Sequence, residues 1–196
     1  GRYGTLEVIP HPEALWMYPY IDCDRISVAG PDTAADLELD LSAAFRLAES
    51  DNLYMSQAHY PLVGLPVPDR PGKARLKIPA PAGEDADIDY VAAPFSRSLP
   101  DEQKWPLRRW RALFAANPRL KFGVLANTKY DTADELGDLC NIKMLADLSF
   151  DSMMQVLLSA RKGLISVVTG PSHLAYHLGV KNILLGNQGA WGKNPE

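Results

Sequence analysis

The chain has 196 residues, 46% hydrophobic and 22% charged, with a formal net charge of −4. That balance excludes a disordered chain, and without a Lys/Arg block nucleic acid is not its main partner. Cys23 and Cys140 lie far apart without metal-ligand spacing, so neither a disulfide framework nor a zinc site is indicated. No apolar run approaches the roughly 18 residues that span a bilayer, and no signal peptide is legible, so a cytoplasmic, reducing compartment is expected.

In chain order, Leu6–Pro10 reads as a short strand, Pro12–Tyr18 as a helical turn and Arg25–Ala29 as a second strand. Asp36–Leu41 alternates, with Leu37, Leu39 and Leu41 on one face, which is strand periodicity. Ser42 can cap a helix over Ala43–Ser50. Pro61, Pro66, Pro68, Pro71, Pro79 and Pro81 then fall within about twenty residues, and such a run continues neither a helix nor a central strand. An interdomain linker is predicted near 66–87, between a first domain over 1–80 and a second over 88–196.

The second half is more regular. Asp89–Ala93 reads as a strand. Pro106 fits the first position of a helix whose Leu107, Trp110, Leu113 and Phe114 share one face, closed by Pro118. Lys121–Ala126 is a buried strand, Thr132–Leu139 a helix and Ile142–Leu145 a strand. Ser149 caps a helix over Phe150–Lys162, with Arg161 and Lys162 in its last turn and Gly163 as its stop. Leu164–Val168 is a strand, Pro171–Leu178 a helix followed by Gly179, and Asn182–Leu185 a strand. Strands alternating with helices at this spacing predict an α/β fold with a parallel sheet.

In such a sheet, ligands bind where strand ends enter helices. The corner Thr169-Gly-Pro-Ser-His173 is such a place. Gly170 permits close backbone approach and Pro171 presets the first helical turn. The N–H groups of Ser172 and His173 are expected to face outward at the positive end of the helix dipole, where a phosphate would sit. The ordinary reading of the same residues is a plain Ser/Thr cap. A second polar loop, "APFSRSLPDEQKWP" (Ala92–Pro106), leaves another strand end and carries Ser96, Arg97, Ser98 and Lys104. Alone it is an ordinary solvated loop; converging with the first at one sheet edge, its hydroxyls and cations are phosphate-binding equipment.

"SRSLPDEQKWPLRRW", "LADLSFDSMMQVLLSAR" and "VTGPSHLAYHLG" together resemble glycosyltransferase family 9, the ADP-heptose:lipopolysaccharide heptosyltransferases. The resemblance covers residues 88–192 well and extends weakly to the first half through "DLELDLS". It implies a GT-B-like fold, in which two Rossmann-like domains with parallel sheets face each other. It also implies metal-independent, inverting transfer of a sugar, heptose for this family, from a nucleotide-diphosphate donor such as ADP-heptose to a lipopolysaccharide core or other cell-envelope glycan. No cofactor or metal is implied. The expected partners are the donor and a glycan or glycolipid acceptor, with peripheral association at a membrane. Carried over, Ser96 contacts donor phosphate and Lys104 neutralises it, with Arg97 of the same loop counted among the donor-binding residues. Thr169 and Gly170 contact the diphosphate through the helix terminus and His173 helps form the same corner, to which Pro171 and Ser172 also belong.

Two departures accompany the resemblance. Val168 stands where the family has Asp before Thr-Gly. The family's opening strand and its Gly-Asp loop, which carries the proposed base, have no counterpart before Leu6, so an incomplete N-terminal domain is expected and the catalytic base is unassigned. Nucleotide-sugar binding or a scaffold role without efficient transfer is the alternative. A GT-B-like epimerase is a third reading, lacking the acidic and histidine residues that class uses. His173 and His177 have a spacing that can hold a metal, but no third ligand is evident. His11 and His59 have no partner at ligand spacing. Asp36 and Asp40 read as solvent-face residues, with a carboxylate pair as the other reading, Met153 and Met154 as core, and Trp105 and Trp110 as packing residues, with Trp105 near an adenine pocket as the other reading.

Overall fold

A computed structural model describes residues 6–8, 19–21, 26–28, 60–61, 64–69, 75–79, 87–97, 104–131, 136 and 138–186. The chain divides into two compact units, Gly1–Lys77 and Ile78–Glu196. In the first unit, β1 (Leu6–Val8) and β2 (Ile26–Val28) pair in parallel, with Leu6 opposite Ile26 and Val8 opposite Val28. Part of the stretch read as linker is tied to this unit: Leu76 forms an antiparallel bridge with Ile21, and Lys77 N–H donates to the Tyr20 carbonyl at 2.8 Å. The readings at Pro12–Tyr18, Asp36–Leu41 and 43–50 lie outside the described residues.

The second unit holds a five-stranded, all-parallel sheet. Its strands are β3 (Tyr90–Ala93), β4 (Phe122–Ala126), β5 (Ile142–Ala146), β6 (Gly163–Ser166) and β7 (Asn182–Leu184), in the spatial order β5-β4-β3-β6-β7. Helix α1 (Leu107–Ala115) joins β3 to β4, α2 (Phe150–Ser159) joins β5 to β6 and α3 (Gly170–Leu178) joins β6 to β7. The α/β class and the parallel sheets follow the sequence expectation. Numbered within the unit, the order is 3-2-1-4-5, that of a Rossmann-like domain, the building unit of a GT-B-like fold.

Register explains why the strands read as near-continuous apolar runs. Tyr90 pairs with Phe122, which pairs with Ile142, and Ala92 pairs with Val124 and Ile165. Alternate residues therefore share one face. There Ala92, Phe122, Val124, Ile165 and Val167 form a core with Trp110 and Phe114 of α1. Trp105, Trp110, Phe114 and Phe122 run as a chain of ring contacts, with centroids 5.2, 5.8 and 4.7 Å apart. Leu107 and Leu113 pack at the edge of this cluster, so the face predicted for α1 is the face it buries. On α2 and α3, Met154, Leu157, Leu174 and Ala175 are buried, and these helices pack on each other and on β6.

Among the boundaries that differ from the sequence reading, three change a residue's part in the fold. Pro106 is the N-cap of α1 rather than its first residue, with ψ 142° and its carbonyl accepting from Arg109 and Trp110 N–H. Helix α2 ends at Ser159, not Lys162, because Ala160 turns extended. The N–H groups of Arg161 and Lys162 instead donate to the carbonyls of Ile88 and Asp89 as the chain enters the sheet. Gly163 is the first residue of β6 rather than a helix stop. Its φ is +114°, and a Cβ there would lie 2.2 Å from the Lys181 carbonyl oxygen, so only glycine lets β6 and the start of β7 approach this closely. Most of the helix read over Thr132–Leu139 lies outside the described residues.

Candidate functional site

β3 and β6 are neighbours, but the chain leaves β3 toward β4 and β5, and leaves β6 toward β7. The loops at their carboxyl ends therefore part in opposite directions, which opens a crevice at that edge of the sheet. A cavity of 380 Å³ lies there. Ala93, Phe95, Ser96 and Arg97 line it from the β3 side, and Thr169, Gly170 and Pro171 from the β6 side. The β4 end contributes Asn127, Tyr130 and Asp131, and the β5 end contributes Leu145, Asp147 and Leu148. A second cavity of 430 Å³ adjoins it, lined by Lys104, Trp105 and Pro106. The two share Phe95, Ser96, Arg97, Tyr130 and Asp131. The guanidinium of Arg97 lies over the Tyr130 ring in this common wall, 4.2 Å from its centroid, a cation–π contact.

Of the expected phosphate-binding residues, Ser96, Arg97, Thr169, Gly170 and Pro171 are brought together around the first cavity. Lys104 is not among them; it lines the adjoining cavity across the Arg97–Tyr130 wall. Trp105, also there, packs edge-on against Trp110. The expected orientation of the Ser172 and His173 N–H groups is corrected. They do not face outward but donate to the Thr169 carbonyl at 3.0 and 3.3 Å. The Ser172 hydroxyl is spent on the cap, accepting from Thr169 N–H at 3.0 Å and donating to the Thr169 carbonyl at 2.6 Å. Ser172 is thus buried and His173 is exposed, and neither lines the cavity. The reason is helical geometry: Gly170 and Pro171 occupy the first-turn positions at the mouth, and Pro171 has no N–H, so of these two only Gly170 offers one.

Gly170 carries a further signal. Among the described residues, nothing stands within 4 Å of where its Cβ would be. The protein itself does not require glycine there, whereas a ligand approaching the backbone would.

The sequence reading missed the β4 and β5 ends. Asp147 has φ +50°, uncommon for a residue with a side chain. Its N–H donates to the Ala126 carbonyl at 3.0 Å. Its carboxylate accepts from Thr128 N–H at 3.0 Å and from the Thr128 hydroxyl. The Thr128 hydroxyl, then its N–H, hold the Asp147 carboxyl below the usual carboxylate range, so it is charged at neutral pH. Asp131 accepts from Asn127 N–H at 2.6 Å. Met153, read as core, lines the cavity, while Met154 is fully buried. The strand-end rule that singled out Thr169 points equally to these residues when applied to β4 and β5.

Among the described residues, no group of three or more His, Cys, Asp or Glu side chains is placed to hold a metal ion. No helix among them is long and apolar enough to cross a membrane.

The model of glycosyltransferase family 9 (heptosyltransferase) matches residues 45–187, more than half of the chain and all of the cavity lining. The chain belongs to glycosyltransferase family 9. No curated protein sequence matches it. Among solved structures, it is similar to E. coli heptosyltransferase WaaC with ADP-2-deoxy-2-fluoro heptose, at 20% identity and a TM-score of 0.47, covering 66% of this chain and 42% of that one. It is also similar to E. coli heptosyltransferase WaaC with ADP, at 19% identity and a TM-score of 0.45, covering 66% and 43%. The chain spans less than half the length of these family structures.

Proposed function

We propose that the second unit holds the nucleotide-diphosphate sugar donor of a glycosyltransferase, with ADP-heptose the first candidate, in the cavity at the carboxyl end of its sheet. The observation that carries this reading is the convergence of the β3 and β6 loops at the switch point of a family 9 chain, with Arg97, Thr169 and Gly170 on one cavity. The diphosphate lies on the β3–β6 side, between Arg97 and the first turn of α3. The hydroxyl-rich parts of the donor lie toward Asp131, since carboxylates accept from hydroxyls and repel phosphates.

The reaction is an inverting displacement. The acceptor hydroxyl forms a bond to the anomeric carbon as the bond from that carbon to the diphosphate oxygen breaks. The electron pair of the broken bond stays on the diphosphate. The hydroxyl proton goes to a base supplied outside the second unit. The second unit's part is to stabilise the leaving diphosphate: Arg97 supplies a cation, and the N-terminus of α3 supplies a dipole worth about 0.3–1 kcal/mol. The acceptor is a lipopolysaccharide core or a related cell-envelope glycan, met in the cytoplasm at the membrane surface. Binding without efficient transfer is the second reading, favoured by the apolar Val168 beside the corner.

Calorimetric titration with ADP, UDP and their sugar conjugates tests the site. ADP should bind, and Arg97→Ala should weaken it about tenfold, roughly the lower end for a hydrogen bond to a charged group. A folded protein that binds no nucleotide diphosphate, or an Arg97→Ala variant that binds as well as the parent, would refute the proposal. Donor turnover with a lipid A-core acceptor separates the two readings.

A further inference from the structure

We propose that Asp147 is a positioning residue: its carboxylate fastens the loop after β4 at Thr128 and thereby seats Tyr130 against Arg97 in the wall of the cavity. Within the loop, Tyr130 and Asp131 N–H both donate to the Asn127 carbonyl, at 3.0 and 2.9 Å. Asn127 Oδ1 accepts from Lys129 N–H at 3.0 Å, and Asp131 accepts from Asn127 N–H. These bonds make the turn rigid in itself but do not fix where it stands. Among the described residues, Asp147 hydrogen-bonds to it from a different strand end, taking both the N–H and the hydroxyl of Thr128.

The geometry at Asp147 has a cost. A non-glycine residue at φ +50° is held in a sparsely populated region, and such residues persist where surrounding contacts over-determine them. Here the determining contacts are the bonds to Thr128 and the backbone bond to Ala126. The consequence reaches the ligand side through Tyr130, which lines both cavities and carries Arg97 on its ring. Lys129 lies 5.1 Å from the same ring centroid. A displaced loop moves the seat of the cation that faces both cavities. Thr128 lines neither cavity, so an effect of Thr128 on binding has to pass through the loop. The consequence for binding rests on the donor-site reading above; the fastening of the loop does not.

The experiment has two readouts, amide hydrogen exchange over residues 127–131 without ligand and titration with ADP, on three variants. Asp147→Asn keeps one oxygen to accept from Thr128 N–H and gains an amide N–H to donate to the Thr128 oxygen, and asparagine tolerates φ +50°. It should retain both exchange protection and ADP affinity. Asp147→Gly adopts that φ without strain, so folding is preserved, but it lacks the carboxylate. It should speed exchange several-fold and weaken ADP. Thr128→Val removes only the hydroxyl bond and should shift both readouts in the same direction by less. Unchanged exchange in Asp147→Gly and Thr128→Val would overturn the proposal. So would an Asp147→Asn variant that loses ADP as fully as Asp147→Gly while Thr128→Val binds normally, because Asp147 would then act on the ligand directly. If the parent protein binds no ADP, the donor reading fails while the exchange measurement still decides the fastening.

Discussion

Replacing Gly170 with alanine should move stability and ligand affinity in opposite directions. Gly170 is the first residue of α3, after the N-cap Thr169. The space where a Cβ would project is open, with none of the described residues within 4 Å. Its backbone is not among the glycines with positive φ. Alanine therefore fits without strain, and by restricting the unfolded chain it should stabilise the protein by about 0.4–1 kcal/mol. The added methyl stands at the cavity, where a diphosphate oxygen would meet the Gly170 N–H. Losing one hydrogen bond to a charged group costs about 1.5–3 kcal/mol, which is roughly a tenfold to hundredfold rise in Kd. Denaturant unfolding measures the first effect and calorimetric titration with ADP the second. Raised stability with unchanged ADP affinity would show that the phosphates do not approach this backbone. A fall in stability would show that the site is not open as described.

Gly163→Ala should destabilise the fold by about 2–5 kcal/mol, combining a forbidden φ with a Cβ driven into the Lys181 carbonyl; an unfolding midpoint within error of the parent would contradict the close approach of β6 and β7. Phe114→Ala removes the ring that bridges Trp110 and Phe122 in the core and should cost about 3–5 kcal/mol in denaturant unfolding, with a loss under 1 kcal/mol arguing against the packing described. Asp147 has a folded-state pKa below its ordinary value, so the charge-dependent part of its hold on the loop is complete above the ordinary carboxylate range and is lost as pH falls through the depressed value, leaving the hydrogen bonds that a neutral carboxyl can still make; amide exchange at Thr128, corrected for intrinsic rate, should stay protected at pH 5, and loss of protection already between pH 6 and 5 would contradict this. Arg111 and Asp138 form an ion pair with both side chains exposed, so Asp138→Ala should leave the unfolding midpoint nearly unchanged, and a large fall would mean the pair is better shielded than its exposure implies.

The alternation of apolar strands with amphipathic helices was legible in the second half of the sequence because each signal is local. Trp110 and Phe114 repeat at helical spacing, β4 is apolar throughout because both faces of a parallel sheet are covered, and Ser149 announces the start of α2. The corner at Thr169 and the loop at Ser96 could be named for the same reason, since strand, polar turn and helix lie within a few residues of one another. Sequence could not say which strand ends are neighbours. That depends on the order β5-β4-β3-β6-β7, which is set by long-range pairing, and this order brings Arg97 to Thr169 while leaving Lys104 beyond the Arg97–Tyr130 wall. Sequence also could not assign the polar groups that the fold consumes. Ser172 and His173 looked like open donors, but the first turn of α3 uses their N–H groups on Thr169. No reading of the sequence singled out Asp147, whose carboxylate gains its partner through the approach to Thr128, nineteen residues away in sequence. Local pattern determines which elements form; the tertiary structure decides which of their ends meet and which polar groups remain for a ligand.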